Sequence, residues 1–371
     1  MKFRIRNSNV VLVVAFVIAC VSSGIGQTPT PKPKVDDEII KVSSRLVVVP
    51  VSVTDASGQA VMGLTARDFR IAEEGRPQTI ENVGNADTVP LEIVVLFDVS
   101  ASTDAMFKFE QQTAAKFLKD VMRPSDRATV FTIGEKPVLV QPRDTAERSG
   151  AAIQTITPTK GYTAFYDSIG ATSEYLRKNA PEGTRRVVLV ISDGEDTNSN
   201  RIAQAIQDGY RKIGEKINTL DEKTRYNLTV TNRNNAALEE RARVLRSLQN
   251  ADTVFYSINP AGSSFQLNKM SVFGQENMQK FAEETGGTAF LPKFLPIDTK
   301  DSFQNSSNTR KNTEMLDLIF RQLSNELRSQ YLVQYYSESD FPANKFVKLD
   351  LSLPTRATLR IRARQGYYVK N

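Results

Sequence analysis

Three oxygen-bearing side chains, Asp98, Ser100 and Ser102, stand at alternate positions directly after Leu91–Phe97 (LEIVVLF), a nearly all-apolar run of the kind that forms a strand covered on both faces. A second such run, Val187–Ile191 (VVLVI), leads into Asp193-Gly194-Glu195-Asp196, and between the two Gly161-Tyr162-Thr163 precedes a helical pattern from Ala164. Ligands of open α/β sheets bind outside the carboxyl ends of the strands, so Asp98, Ser100, Ser102, Thr163 and Asp193 are expected to share one sheet edge. All five are hard oxygen donors and only two are anionic, a set that suits Mg²⁺, with Mn²⁺ or Ca²⁺ as the other oxygen-preferring choices. So few carboxylates leave a cation electrophilic, able to accept an acidic group from another molecule. Glu195 and Asp196 read as solvated loop residues, and Asp104 as the cap of the helix that follows.

What is missing narrows the chemistry further. The 371 residues contain no histidine and one cysteine, which excludes Ser-His-Asp and Cys-His nucleophile pairs, His-ligated zinc, multi-cysteine clusters and an internal disulfide. A phosphatase using Asp98 as nucleophile needs a second Asp two positions on as its acid/base, and that position is Ser100. There is no GxxxxGK[ST] phosphate loop either. The expectation is a non-enzymatic protein, with a metal-dependent hydrolase the less favoured reading.

The elements that must position these groups follow from periodicity. Residues 39–89 read as short β strands, among them Leu46–Val53 and Phe69–Ile71. Residues 90–330 alternate apolar strands with amphipathic helices, which predicts an α/β fold, a doubly wound, mostly parallel sheet. Within it, residues 201–250 form an insertion: helices over Ile202–Leu220 and Ala236–Leu248, separated by polar Arg225–Asn235, are expected to make a protruding hairpin or flap. Residues 331–371 return to alternating strands, predicted to complete a β-sandwich with the early ones. There the five tyrosines Tyr331, Tyr335, Tyr336, Tyr367 and Tyr368 read as packing residues, and Arg356, Arg360, Arg362 and Arg364 as the solvent face of a strand.

The N-terminus reads as an export signal over residues 1–26, with basic Lys2, Arg4 and Arg6 ahead of an apolar run, Val10–Ala19, followed by a Pro-rich linker over 27–38. Two routes are open: cleavage before Gln27, giving a secreted or periplasmic protein, or a lipobox, Val17-Ile18-Ala19-Cys20, acylated at Cys20. Membrane attachment is expected only through that anchor. The net charge of +6 includes those three basic residues and no acid from the first 26, so the remainder carries +3, mixed in sign along the chain; nucleic acid is not an expected partner. Nothing in the sequence sets the oligomeric state.

Asp98-x-Ser100-x-Ser102 with Thr163 and Asp193 resembles the metal-ion-dependent adhesion site (MIDAS) of von Willebrand factor type A domains, which have a Rossmann-like α/β fold. The resemblance implies that Ser100, Ser102 and Thr163 ligate the cation directly, that Asp98 and Asp193 act largely through water, and that a partner protein's Asp or Glu completes the shell. Ala101 and Thr103 stand where that motif usually has Gly and Met, at positions that are not ligands. Val47–Val51 with Asp55 and Gly58, Leu64–Phe69, and the terminal Arg364-Gln365-Gly366-Tyr367-Tyr368 are similar to bacterial secreted proteins related to von Willebrand factor A domains, abundant in Acidobacteria. That resemblance implies export and a flanking sandwich. From the cation site, the expected role is a binding or adhesion module of the cell envelope. The alternative is a structural or assembly component in which the metal only stabilises the fold.

Overall fold

The computed structural model describes residues 45–100, 104–159, 161–214, 219–260, 269–297 and 299–369. The expected leader, the linker, Cys20 and Ser102 lie outside the described residues. Strands β1 (Arg45–Thr54), β2 (Arg70–Glu73), β3 (Arg76–Gln78) and β4 (Ile80–Asn85) come first. The middle runs β5 (Leu91–Asp98), α1 (Asp104–Val121), β6 (Arg127–Ile133), β7 (Val138–Asp144), α2 (Ala146–Thr155), α3 (Phe165–Asn179) and β8 (Arg185–Ile191). It continues through α4 (Asn200–Gly214), α5 (Glu222–Asn250), β9 (Thr253–Ile258), α6 (Lys269–Thr285), β10 (Ala289–Phe290) and α7 (Ser302–Ser329). Strands β11 (Tyr331–Ser337), β12 (Phe346–Ser352), β13 (Arg360–Ala363) and β14 (Gly366–Tyr368) close the chain.

The central sheet has the order β10-β9-β8-β5-β6-β7, parallel except for β7, which runs antiparallel to β6. Helices cover both faces, which is why β5 shows no polar alternation. Ile93, Val95 and Phe97 pack in the core that contains Phe117 and Leu118 of α1 and Phe320 and Leu323 of α7. Val94 and Leu96 point the other way, into the core of Ile169 of α3, Val244 of α5 and Phe281 of α6. From β5 the chain first adds β6 on one side and later β8 on the other. The strand order therefore reverses between β5 and β8, and the crevice at their carboxyl ends is where such sheets place a ligand.

The early and late strands pair as expected. Sheets β13-β1-β11-β4 and β14-β12-β2-β3 form the sandwich, with β1 and β11 in antiparallel register from Arg45↔Ser337 to Val51↔Tyr331. Alternate residues of β1, Val47, Val49, Val51 and Val53, share its core with Phe69, Tyr331, Tyr335 and Tyr367. In that core the buried Glu73 accepts hydrogen bonds from the hydroxyls of Tyr335 (2.9 Å), Tyr367 (2.5 Å) and Ser337 (2.8 Å). Of the remaining two tyrosines, Tyr336 is half exposed, and Tyr368, partly exposed, packs against Phe346 with ring centroids 5.2 Å apart.

Two expectations need correction. Arg356 and Arg360 are exposed as expected, but Arg364 is not part of a solvent face: it donates to Asp252 (2.8 Å) and the Val48 carbonyl (2.8 Å), while the partly exposed Arg362 donates to Thr288 Oγ1 (2.8 Å). Strand β13 flanks the α/β unit, so its long side chains reach across the junction. Polar Arg225–Asn235, expected to break the insertion, is instead continuous helix within α5. The reason is tertiary: Gly209 lets α4 approach until an added Cβ would stand 3.3 Å from the Asn232 amide, and that packing overrides the weak helix propensity of Asn and Thr. No described helix is long and apolar enough to cross a membrane.

Candidate metal centre

Asp98 ends β5 with both carboxylate oxygens engaged. Oδ1 accepts from Ser100 N (3.0 Å) and Ser100 Oγ (2.7 Å), and Oδ2 from Ser192 Oγ (2.6 Å), the residue just before Asp193. The following loop is stitched to its neighbours: Val99 N donates to Ile133 O (3.0 Å), Thr159 N to Val99 O (2.8 Å), and Ala164 N to Gly134 O (2.7 Å). These bonds carry Thr163 to the same edge. Its carbonyl accepts from Thr197 N and Asn198 N (both 2.9 Å) and its own N–H donates to Thr197 Oγ1 (2.9 Å). The Thr163 side-chain hydroxyl makes no hydrogen bond to another described residue, and its oxygen is not sealed from solvent although most of the residue is covered.

Asp193 is set by a tight turn, its Oδ1 accepting from Glu195 N (3.0 Å). Gly194 has φ +78°, and α6 presses against it at Gly274, where an added Cβ would lie 2.5 Å from the Gly194 carbonyl carbon. Both contacts are with backbone, so no rotamer change relieves them. Gly274→Ala is expected to displace the Asp193 turn and to destabilise the protein by roughly 2–3 kcal/mol, read as a fall in Tm with weaker cation response.

The structure thus brings Asp98, Ser100, Thr163 and Asp193 to one edge. It corrects the reading of the two acids that follow. Asp196 is buried, its carboxylate accepting from Tyr166 N (2.9 Å), Asn198 N (3.1 Å), Ser199 N (2.9 Å) and Ser199 Oγ (2.5 Å). Tyr166 N belongs to the first turn of α3, whose N–H groups have no partner within the helix, and Asn198 and Ser199 immediately precede α4, so Asp196 ties the two helix starts together; the first N–H of α4, at Asn200, donates to Asp167 (2.9 Å). Glu195 accepts from the Ser271 hydroxyl of α6 rather than facing water alone. Arg233 of α5, also buried, donates to the Asp196 carbonyl (2.7 Å) and ties the insertion to the loop.

The electrostatics are those of a site short of positive charge. Burial raises the Asp98 carboxyl above its ordinary range, against the hydrogen bonds from Ser192 and Ser100. Burial also pushes Asp193 up to about 6, with the Asp98 and Glu195 charges adding to the shift. Among the described residues no Lys or Arg forms an ion pair with either Asp98 or Asp193. Nor do the described residues contain a group of three or more His, Cys, Asp or Glu that could hold a metal on their own. A dication would neutralise these carboxyls, and the free Thr163 hydroxyl offers it a donor; the chemistry of the donors fits a hydroxyl-rich oxygen site rather than an acidic cage.

Ser192, Glu110 and Arg233 were not singled out by the sequence. Ser192 had a visible signal, a hydroxyl between an apolar strand and Asp193. Arg233 had none, because its role depends on how α5 crosses the loop.

Residues 93–195 match the von Willebrand factor type A domain model. No curated protein matches. Among solved structures, similarity extends to an aerotolerance-related membrane protein from Bacteroides fragilis at 14% identity and TM-score 0.33, covering 62% of this chain and 99% of that one. It extends also to a von Willebrand factor type A protein from Catenulispora acidiphila at 13% identity and TM-score 0.40, covering 77% of this chain and 51% of that one. A third is proximal thread matrix protein 1 from the mussel byssus with a zinc-occupied MIDAS motif, at 14% identity and TM-score 0.38, covering 69% of this chain and 50% of that one. The chain thus spans about half the length of the last two. With that match over residues 93–195, the six-stranded, mostly parallel sheet with helices on both faces has the von Willebrand factor type A fold.

Proposed function

We propose that this is an exported, non-enzymatic binding module of the cell envelope, in which a divalent cation at the β5/β8 edge captures a carboxylate from a protein partner. Ser100, Ser102 and Thr163 would hold the cation directly, and Asp98 and Asp193 through water, with Mg²⁺ the expected resident. When bound, the cation supplies Lewis acidity toward an incoming Asp or Glu. The protein's own residues do the positioning: Ser192 and Ser100 aim Asp98, and Thr197 and Asn198 fix the Thr163 backbone. The observation that carries this reading is the pairing, at the topological switch point, of buried carboxyls that lack a counter-charge among the described residues with a Thr163 hydroxyl that makes no hydrogen bond to any of them.

The insertion adds a wall to that edge. Arg233 lies level with Asp196, and the eleven residues of α5 before it extend about 16 Å further at 1.5 Å per residue. A partner approaching the cation therefore meets the α4–α5 hairpin beside it, which favours a macromolecular ligand over a small one.

Thr163→Ala separates binding from a purely stabilising role for the metal. The expected result is loss of Mg²⁺-dependent capture of an envelope protein on the immobilised full chain, with Tm within about 2 °C of wild type. Capture equal in EDTA and Mg²⁺ would overturn the carboxylate bridge, and a large fall in Tm with capture retained would favour the structural reading.

A further inference from the structure

Glu110 lies on the buried stripe of α1, three residues after Phe107 and four before Ala114, where an apolar side chain is the rule. It is 3% exposed, and its Oε1 has no hydrogen-bond partner among the described residues. The crevice it enters is lined by Ile191, Ile258, Pro260, Phe294, Leu316 and Phe320. Ile191 and Ile258 are the last residues of β8 and β9, and Ile191 is in register with Phe97, the neighbour of Asp98. Glu110 therefore sits just behind the sheet edge that carries the candidate cation site.

The charges around it are one-sided. The β8, β9 and α7 residues facing it are apolar, as are Pro260 and Phe294. From β5 the Asp98 charge reaches it, and burial followed by that charge pushes its carboxyl up to about 8. No Lys or Arg is ion-paired with it among the described residues. A buried acid with an orphaned oxygen costs stability, and replacing it with a hydrophobic residue would remove that cost. Its placement makes sense if a positive charge arrives at the edge in front of it.

We propose that Glu110 is a concealed positioning carboxylate of the cation site, which raises cation affinity through its charge from behind Asp98 without taking a coordination position. This inference rests on the proposed cation site. In the metal-bound protein Glu110 adds a further negative charge behind Asp98, beyond those of Asp98, Asp193 and Glu195, in a region of low dielectric where charge–charge interactions are strong.

The test is calorimetric titration of the full chain at pH 8 with Mn²⁺ and, separately, with Tb³⁺, using wild type, Glu110→Gln and Glu110→Met. Glu110→Gln keeps shape and removes only the charge. The expected result is an affinity loss of about tenfold or more for Mn²⁺ and a larger loss for Tb³⁺, because a charge–charge contribution grows with the charge of the ion. The cation-free Tm of both variants is expected to equal or exceed that of wild type. A role confined to filling space would leave the Mn²⁺ and Tb³⁺ affinities of Glu110→Gln at wild-type values, and that result overturns the proposal. Equal losses for both ions overturn it too, since they would report altered shape. Absence of cation binding by the wild type would overturn the site itself, and this inference with it.

Discussion

Raising the pH from 5 to 8 is expected to destabilise the cation-free protein by several kcal/mol, and saturating Mg²⁺ is expected to restore most of that loss. Burial is the leading cause of a raised carboxyl at Glu110, Asp98, Asp193, Asp196 and Glu326 alike. For such groups the folded state holds its protons to higher pH than the unfolded chain does. Their stability contribution is complete below the unfolded values near 4 and is lost as pH climbs through the folded values, about 6 for Asp193 and about 8 for Glu110. Glu110 alone, moved from 4.5 to about 8, could account for on the order of 4 kcal/mol. Exposed carboxylates with lowered values, such as Asp68 and Asp221, act in the opposite sense below pH 4, so the maximum should lie near pH 5. Chemical denaturation at pH 5 and pH 8, with EDTA and with Mg²⁺, measures this directly. A cation-free protein more stable at pH 8 than at pH 5 would show that these carboxyls are solvated or paired in solution.

Asp98→Asn is expected to abolish the Mg²⁺-induced rise in Tm while leaving the cation-free Tm at pH 7 equal to or above that of wild type. The amide still accepts through its oxygen, so it keeps part of the hydrogen bonding that Ser100 and Ser192 now make to the carboxylate. What it removes is a buried charge that has no ion-pair partner among the described residues, and that charge is what a dication needs. Stability and binding should therefore move in opposite directions, as they do where a site is built at the expense of the fold. Thermal melts of wild type and variant in EDTA and in Mg²⁺ decide it. A variant that melts lower without metal yet keeps its Mg²⁺ increment would mean that Asp98 is a structural residue.

How far the sequence disclosed this architecture depended on how local the cause was. Leu91–Phe97 and Val187–Ile191 announced themselves as doubly covered strands because nothing polar interrupts them, and β5 and β8 are where those runs lie. The β-branched run Leu46–Val53 and the alternating Tyr331–Tyr336 likewise marked an early and a late strand that would share a sandwich, though not that β1 and β11 would be direct neighbours. Asp98, Ser100, Thr163 and Asp193 could be placed at one edge because each follows or adjoins such a signal. The helical insertion was misjudged where its stability comes from Gly209 meeting Thr229 and Asn232, a contact between segments that local propensity does not encode. Asp196 looked like one more loop acid, since its four donors come from the starts of two helices brought together only by the fold. Glu110 was legible in principle: a Glu in the stripe Phe107, Glu110, Ala114, Phe117 contradicts the pattern around it, and such contradictions tend to mark functional positions.

The central claim is that Ser100, Thr163, Asp98 and Asp193 together hold a divalent cation. Anomalous diffraction from Mn²⁺-soaked crystals of the full chain tests it most directly. The account predicts a single strong manganese peak at the carboxyl ends of β5 and β8, within coordination distance of the Ser100 and Thr163 hydroxyls. Crystals that diffract well, with that edge open to solvent and no manganese there at saturating concentration, would contradict it.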